Sequence, residues 1–272
     1  MEIWADKIND FYRAKLVANK HFLDMSSDVT GGGDVINIPN LSEMSANAKS
    51  NATAVTLNSA QETDVNLTVD QWYEVSFQIE DEEKSQVAQS YNIQSRYARN
   101  AGYTVANKLE VALTSLFSAF SNSVGDSNTS VVDSTIRKAI SYLDANDVPD
   151  EDRAFFFDPS VLWDDIMAID KFTLLDEAGR SPVTDGSIGM LYGIPVYKTS
   201  NIQTVDGGKA NALAQKEALA FATAPLPGAQ TSGIRLQSNY IPEYLATLVT
   251  ADILYGCIEN RDAAGVYINS AV

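Results

Sequence analysis

The strongest constraint on the fold is a change of hydrophobic periodicity near residue 81. Before it, apolar residues alternate with polar ones at Val65, Leu67 and Val69, and again at Tyr73, Val75, Phe77 and Ile79. After it, apolar residues recur at steps of three, four and seven, at Val87, Tyr91, Ala98, Ala101, Val105, Leu109, Ala112, Leu116 and Phe120. The first pattern predicts strands and the second a helix. The helix would have about 40 residues and a length of about 60 Å, which suits a scaffold for other elements.

The region before this helix is expected to be extended. A glycine-rich turn at 30–33 leads into the β-rich run 34–39, which Pro39 would close. Residues 40–52 are too polar for a core. We therefore expect the two alternating segments, together with residues 54–57, to form an antiparallel ribbon with a polar tip.

The first residues carry an apolar stripe at helical spacing, which predicts a short helix ending before Ser26. Its members are Trp4, Ile8, Phe11, Tyr12 and Leu16. The stripe packs either on its own domain or, as an arm, on a neighbouring subunit. If it is an arm, Trp4, Phe11 and Leu16 would dock it, and Trp72 and Tyr73 would anchor the base of the ribbon. Arm and ribbon would then bury their apolar sides only on neighbouring protomers.

Beyond Gly125 the pattern indicates a second lobe, so the predicted class is α+β. A helix would point Val132, Ile136, Ile140 and Leu143 inward, and a buried strand would span 154–157. Asp158 would cap a helix that Pro159 opens and that runs to residue 169. Further strands are predicted at 190–197, 218–222, 245–258 and 263–268, the third of them central in its sheet.

Composition excludes several classes of function. One cysteine, Cys257, and one histidine, His21, exclude an intrachain disulfide and a Cys/His metal cage within one chain. The net charge of −17 argues against a dedicated reader of nucleic acid but allows a container that encloses it. No signal-like segment or membrane-spanning run is evident, so we expect a cytoplasmic product without a membrane anchor.

Ser-His-Asp or Cys-His catalysis would have to use His21, which lies far from Cys257 in sequence and is better explained as a solvated or packed residue. An acidic cluster is the other candidate for catalysis. Its members, Asp158, Asp164, Asp165, Asp176 and Glu177, could act as acids and bases or bind a hard cation. Helix capping by Asp158 and a solvated helix face for Asp164 and Asp165 explain them better. We therefore expect no catalytic residues, no metal and no cofactor.

Several local patterns, taken in this order, resemble the major capsid proteins of tailed bacteriophages, which have the HK97-type fold. They are Gly33–Pro39 as the strand entering an extended loop, Val75–Asp81 as the strand leading to a spine helix, and Gly193–Val196, Tyr255–Gly256 and Arg261–Ile268 as later strands. The likeness covers nearly the whole chain, and the ordered set carries it.

The resemblance implies four parts. They are an N-terminal arm (1–28), a P-domain with the spine helix (29–42, 71–122 and 259–272), an E-loop (43–70) and an A-domain (123–258). Some relatives cross-link an E-loop lysine to a neighbour's asparagine. Lys49 lies in the matching region, and Asn260 and Asn269 lie near the last strand. Without a motif around it, Lys49 is expected to be an interface residue only.

The implied function is self-assembly into pentameric and hexameric capsomers of an icosahedral head shell that encloses phage DNA. The chain would assemble in the host cytoplasm, reside in the virion, touch DNA weakly and non-specifically, and use a separate scaffolding protein and a portal. Two alternatives stay open at this point. One is an encapsulin-like shell that packages protein cargo, and the other is a soluble enzyme using the acidic cluster.

Overall fold

A computed structural model of the chain describes residues 16–29, 34–41, 44, 46–55, 62–82, 93–169, 189–227 and 233–271. These residues form a five-stranded sheet, a seven-stranded sheet and a separate two-stranded ribbon. The class is α+β, as predicted. Trp4, Phe11 and the rest of the predicted arm helix up to residue 15 lie outside the described residues.

The five-stranded sheet is built around one long strand. Its strands are β1 (Leu23–Asp24), β4 (Gln71–Glu80), β11 (Leu219–Thr223), β12 (Ile234–Ile241) and β13 (Ala246–Glu259). Residues 246–253 of β13 pair with β12 along one edge and with β4 along the other. The predicted central strand is therefore confirmed, while β12 was not predicted.

The helix α2 (Ile93–Ser115) packs across β4, β12 and β13. Its apolar side buries Ala101, Val105 and Leu109, as the spacing predicted. It also buries Leu113, which was not predicted, whereas the predicted Ala112 and Leu116 are only partly buried. A 3-10 turn (Leu116–Ala119) ends it before Phe120. Of the predicted 40 residues, 81–82 and 93–115 are helical, and 83–92 lie outside the described residues.

The seven-stranded sheet has the order β5, β14, β10, β6, β8, β7, with β9 beside β10. These strands are β5 (Ser123–Gly125), β6 (Arg153–Phe157), β7 (Met190–Leu191), β8 (Ile194–Lys198), β9 (Thr204–Val205), β10 (Gly208–Gln215) and β14 (Gly265–Ser270). In β6, Phe156 faces the core shared with α2, whereas Phe155 and Phe157 face α3 (Asp133–Ala145). Burial on both faces explains the unbroken apolar run of β6.

The ribbon differs from its prediction. Strand β2 (Val35–Leu41) pairs with β3 (Glu62–Thr68), whereas β4 leaves β3 and pairs with β13 over ten residue pairs. The expectation that all the alternating segments share one ribbon was therefore wrong. The apolar side of β4 is covered by α2. Strand β13 is long enough to pair with all ten residues of β4. Pro39 does not close β2, which continues to Leu41 at an open edge.

The root of the ribbon is buried by its own chain. Leu67 and Val69 form a small core with Val29 and Ala222, with relative exposures from 0% to 5%. A short helix, α1 (Ala18–His21), lies within the segment 1–28 that was expected to form the arm. The expectation that the extended elements bury apolar side chains only on neighbours is therefore wrong for the ribbon root.

One smaller prediction in the second lobe also needs correction. Helix α3 buries Ile136, Ala139 and Leu143, but Val132 lies before its first turn and is 49% exposed. The expected domain limit at 258/259 lies near the end of β13, between strands of different sheets. Strand β13, before it, pairs with β4, and β14, after it, pairs with β10.

Candidate functional site

A buried carboxylate fixes residues 17–19, within the expected arm segment, to the fold. Glu110 of α2 is fully buried, and its Oε1 accepts the backbone N–H groups of Val17 and Ala18 at 2.7 and 2.8 Å. Its Oε2 accepts the N–H of Asn19 at 3.1 Å. The first N–H groups of α1 lack partners within the helix, so the carboxylate supplies them. This contact anchors residues 17–19 to the C-terminal part of α2.

His21 continues this anchor toward the seven-stranded sheet. Its ring makes edge contacts with Phe22, Phe156 and Tyr197 at centroid distances of 5.2 to 5.9 Å. Burial lowers the pKa of His21, which favours the neutral ring. The histidine is thus a packed aromatic group, as the sequence favoured over a catalytic role.

An exposed tryptophan is held in place at the edge of the five-stranded sheet. Trp72 is 64% exposed, yet its Nε1–H donates to Oδ2 of Asp252 on β13 at 3.1 Å. Arg235 on β12 binds the same carboxylate through two hydrogen bonds of 2.9 and 2.6 Å. The hydrogen bonds from Arg235 lower the pKa of Asp252, which is only 2% exposed. The three strands thereby orient an indole ring that remains open to solvent.

Tyr73 points to the opposite face of the same strand. Its ring stacks on Tyr255 at 6.0 Å, and Nζ of Lys108 lies 5.5 Å from its centroid. It is 40% exposed beside α2. Trp72 and Tyr73, which were predicted together at the ribbon base, therefore lie on different faces of the sheet. Of the two, Trp72 is the more exposed, and its ring is held by a hydrogen bond.

The remaining predicted interface residues are only partly described. Leu16 is half-buried next to the Glu110 contact. Lys49 is exposed, and its Nζ donates to the carbonyl oxygens of Ser50 and Thr53. Asn260 donates its side-chain amide to the carbonyl of Glu217, and Asn269 lies within β14.

The acidic cluster does not form a converging site among the described residues. Asp158 caps the turn at Ser160 and pairs with Lys209 at 3.2 Å. Asp165 accepts the N–H of Val131 at 2.7 Å, so it is not part of a solvated face, whereas Asp164 is exposed. Asp176 and Glu177 lie outside the described residues. Within the described residues there is also no group of three or more His, Cys, Asp or Glu that could hold a metal ion.

The sequence contained partial signals for the residues that were missed. Glu110 stands within the apolar run Leu109–Leu113 of α2, and Asp252 is an acid in a nearly apolar central strand. A charged residue in such a position is usually paired when it is buried. The partners, Arg235 and the N–H groups of residues 17–19, could not be found from local sequence.

Comparison with known proteins finds similar proteins by structure and none by sequence. No protein-family model matches the sequence, and no curated protein matches it. A solved structure from Mycobacterium phage Che8 has a TM-score of 0.83 at 18% identity, covering 98% of this chain and 96% of that one. The capsid structure of cyanophage P-SCSP1u gives a TM-score of 0.80 at 14% identity, covering 100% and 93%. The mature capsid of bacteriophage PhiM1 gives 0.76 at 12% identity, covering 99% and 91%.

The chain has a phage capsid fold. The capsid fold extends over nearly the full length of this chain and of each similar chain, so both sheets, α2 and the ribbon belong to one architecture. No helix among the residues described here is long and apolar enough to cross a membrane.

Proposed function

We propose that the protein is the major capsid protein of a tailed bacteriophage and assembles into an icosahedral head shell around the phage genome. The observation that carries this proposal is the match of the whole chain to structures taken from assembled phage capsids. A fold by itself does not specify chemistry. The proposal is supported further because Asp158 and Asp165, two described members of the candidate acidic cluster, make separate structural contacts.

The proposed parts are those of the HK97-type fold: arm 1–28, P-domain 29–42, 71–122 and 259–272, E-loop 43–70, and A-domain 123–258. Helix α2 would be the spine helix and β2–β3 the stem of the E-loop. Because β11, β12 and β13 share a sheet with β4, we propose that these three strands of the 123–258 segment lie on the spine-helix side of the molecule. The remaining strands of the A-domain would gather around the five- and six-fold axes.

We propose that Trp4, Phe11, Leu16, Lys49, Trp72 and Tyr73 contact neighbouring subunits. Trp72 has the most direct support. Interfaces draw much of their binding free energy from a few aromatic residues, and an aromatic side chain that is already ordered loses less entropy on binding. The hydrogen bond to Asp252 orders the Trp72 ring while leaving most of it exposed.

The proposed shell would consist of pentameric and hexameric capsomers that assemble in the host cytoplasm with a separate scaffolding protein and a portal. The protein would be structural, with no enzymatic role and no cofactor. The similarity to phage particles favours a DNA-containing head over an encapsulin-like compartment for protein cargo.

The test is to express the full chain alone and with a candidate scaffolding protein, and to examine the products by size-exclusion chromatography and negative-stain electron microscopy. Closed shells or capsomers are expected. A monodisperse monomer under both conditions contradicts the proposal. Shells that consistently co-purify with a cargo peptide and assemble without scaffold would support the encapsulin-like alternative.

The interface role of Trp72 is tested by comparing Trp72→Ala with Trp163→Ala, since Trp163 is an exposed tryptophan of the other lobe. A contact worth about 2 kcal/mol raises the protein concentration needed for assembly by about 30-fold. We expect that increase for Trp72→Ala, an intermediate one for Trp72→Phe, and little change for Trp163→Ala. Normal assembly of Trp72→Ala at wild-type concentrations would refute the role.

A further inference from the structure

Helix α2 exposes only basic charges in a strongly acidic protein. Between residues 93 and 115 the sequence has Arg96, Arg99 and Lys108 and a single acid, Glu110. Glu110 is fully buried and binds the backbone of residues 17–19. The solvent-facing surface of α2 is therefore positive, although the chain has a net charge of −17.

Arg96 and Arg99 also differ from the other described arginines in having no carboxylate partner there. Each of the others lies within ion-pair distance of an Asp or Glu, and these are Arg137, Arg153, Arg235 and Arg261. Among the residues that the structure describes, neither Arg96 nor Arg99 has such a pair, and both are exposed. Their guanidinium groups are available to an external anion.

The two arginines lie on the side of α2 that leads to Glu110, where residues 17–19 are bound. Side chains three residues apart on a helix are neighbours, with about 5–6 Å between their Cβ atoms. Steps of four, three and four residues lead from Arg99 to Glu110 along one side of α2, about 16 Å farther on. There Glu110 holds α1, whose exposed Lys20 adds a third positive charge. We call Arg96, Arg99 and Lys20 the basic stripe.

The chemistry of the basic stripe fits a phosphate backbone better than a protein surface. Guanidinium forks match phosphate oxygens in two-point contacts. Protein interfaces usually centre on buried aromatic or aliphatic anchors. The exposed large apolar residue of the described part of α2 is Tyr97, which lies about 100° around the helix from Arg96 and contacts Phe77 at 5.6 Å. The stripe thus offers charge without an apolar anchor.

We propose that the basic stripe lies on the inner wall of the shell and binds the phosphate backbone of the packaged DNA without reading its sequence. This inference rests on the proposed function, which supplies DNA as the polyanion. The sequence before the described residues also carries the basic residues Lys7, Arg13 and Lys15. The net charge of −17 does not prevent this contact, because exposed charges more than about 8 Å away are largely screened at physiological salt.

The test measures binding of the full chain, as soluble capsomers or subunits, to a fluorescein-labelled 30-base-pair duplex by anisotropy at several KCl concentrations. The variant is Arg96→Gln with Arg99→Gln. The matched control is Arg137→Gln with Arg261→Gln, which removes the same charge from exposed arginines that are already ion-paired. Each phosphate contact contributes about 0.9 to the slope of log affinity against log salt.

We expect the wild-type chain and the control to share one slope and the Arg96/Arg99 variant to lose about 1.8 from it. Wild-type protein that does not bind the duplex at low salt, or equal slopes for all three proteins, would overturn the inference. So would a variant that binds DNA normally but fails to form shells, because the stripe would then be a protein contact. Electron microscopy of wild-type shells is a separate readout, so failure of the proposed function is distinguishable from failure of this inference.

Discussion

The carboxylate of Glu110 should determine whether the arm stays attached to the fold. It accepts three backbone N–H groups at 2.7, 2.8 and 3.1 Å from a fully buried position. Glu110→Ala removes all three acceptors. Glu110→Gln keeps one oxygen but turns an amide N–H₂ toward an N–H donor, so it should retain only part of the contact.

The size of the effect follows from the fate of these N–H groups. A hydrogen bond to a charged group contributes about 1.5–3 kcal/mol, but the three losses do not add, since a released arm lets the N–H groups bind water. Release also uncovers the buried residues Val17, Ala18 and Phe22. We expect Glu110→Ala to lower the free energy of unfolding by about 3 kcal/mol and the melting temperature by about 6–12 °C. Glu110→Gln should lose about half as much.

Thermal unfolding of the soluble chain and hydrogen exchange of residues 16–22 measure this effect. The control is Glu217→Ala, whose carboxylate makes a surface ion pair with Arg261 at 3.3 Å and should contribute less than about 1 kcal/mol. Exchange at residues 17–19 should rise in Glu110→Ala only. If Glu110→Ala melts within about 2 °C of the control and keeps the wild-type exchange pattern, the anchoring role is refuted.

Two further predictions concern single residues. A Cβ at Gly256 would lie 2.0 Å from the carbonyl oxygen of Thr68, so Gly256→Ala should destabilise the fold by about 1–3 kcal/mol, whereas Gly102→Ala, with nothing within 4 Å, should stabilise it by about 0.5–1 kcal/mol. Melting temperatures that do not move in opposite directions contradict this. Burial and a hydrogen bond with Asp262 raise the pKa of Glu259 to about 7, above its ordinary 4.5. The folded chain therefore holds this proton more tightly, and the resulting stability is complete below pH 4.5 and is lost as the pH rises through about 7. Glu259→Gln should flatten the fall of melting temperature over that interval, and an unchanged slope would count against the shifted pKa.

The elements that were predicted well from the sequence are those whose buried face produces a hydrophobic pattern within one segment. Three patterns are each complete within one continuous segment of sequence. They are the change of period before α2, the apolar run of β6 and the nearly apolar β13. Strand β10 was missed because its sequence, GKANALAQ, is rich in alanine and lacks β-branched residues. It forms a strand because it is buried between β6 and β14.

The pairing of strands that are distant in sequence could not be predicted from local hydrophobic patterns. The partner of β4 is β13, more than 160 residues away, and the preceding alternating segment β3 pairs backward with β2. The same limit applies to the candidate site. Trp72 was identified as an anchor, but the Asp252–Arg235 pair that orients it comes from two strands whose register only the folded sheet defines.

The contact at Glu110 also bears on which sequences can vary at the root of the arm. A carboxylate that recognises main-chain N–H groups places no demand on the identity of the side chains at residues 17–19. Packing restricts Val17 and Ala18 to small apolar groups, whereas Asn19 is only partly buried. Proline is the one residue that the hydrogen bonds forbid, because it has no N–H. The side chains at residues 17–19 can therefore vary within these limits while the attachment to Glu110 is preserved.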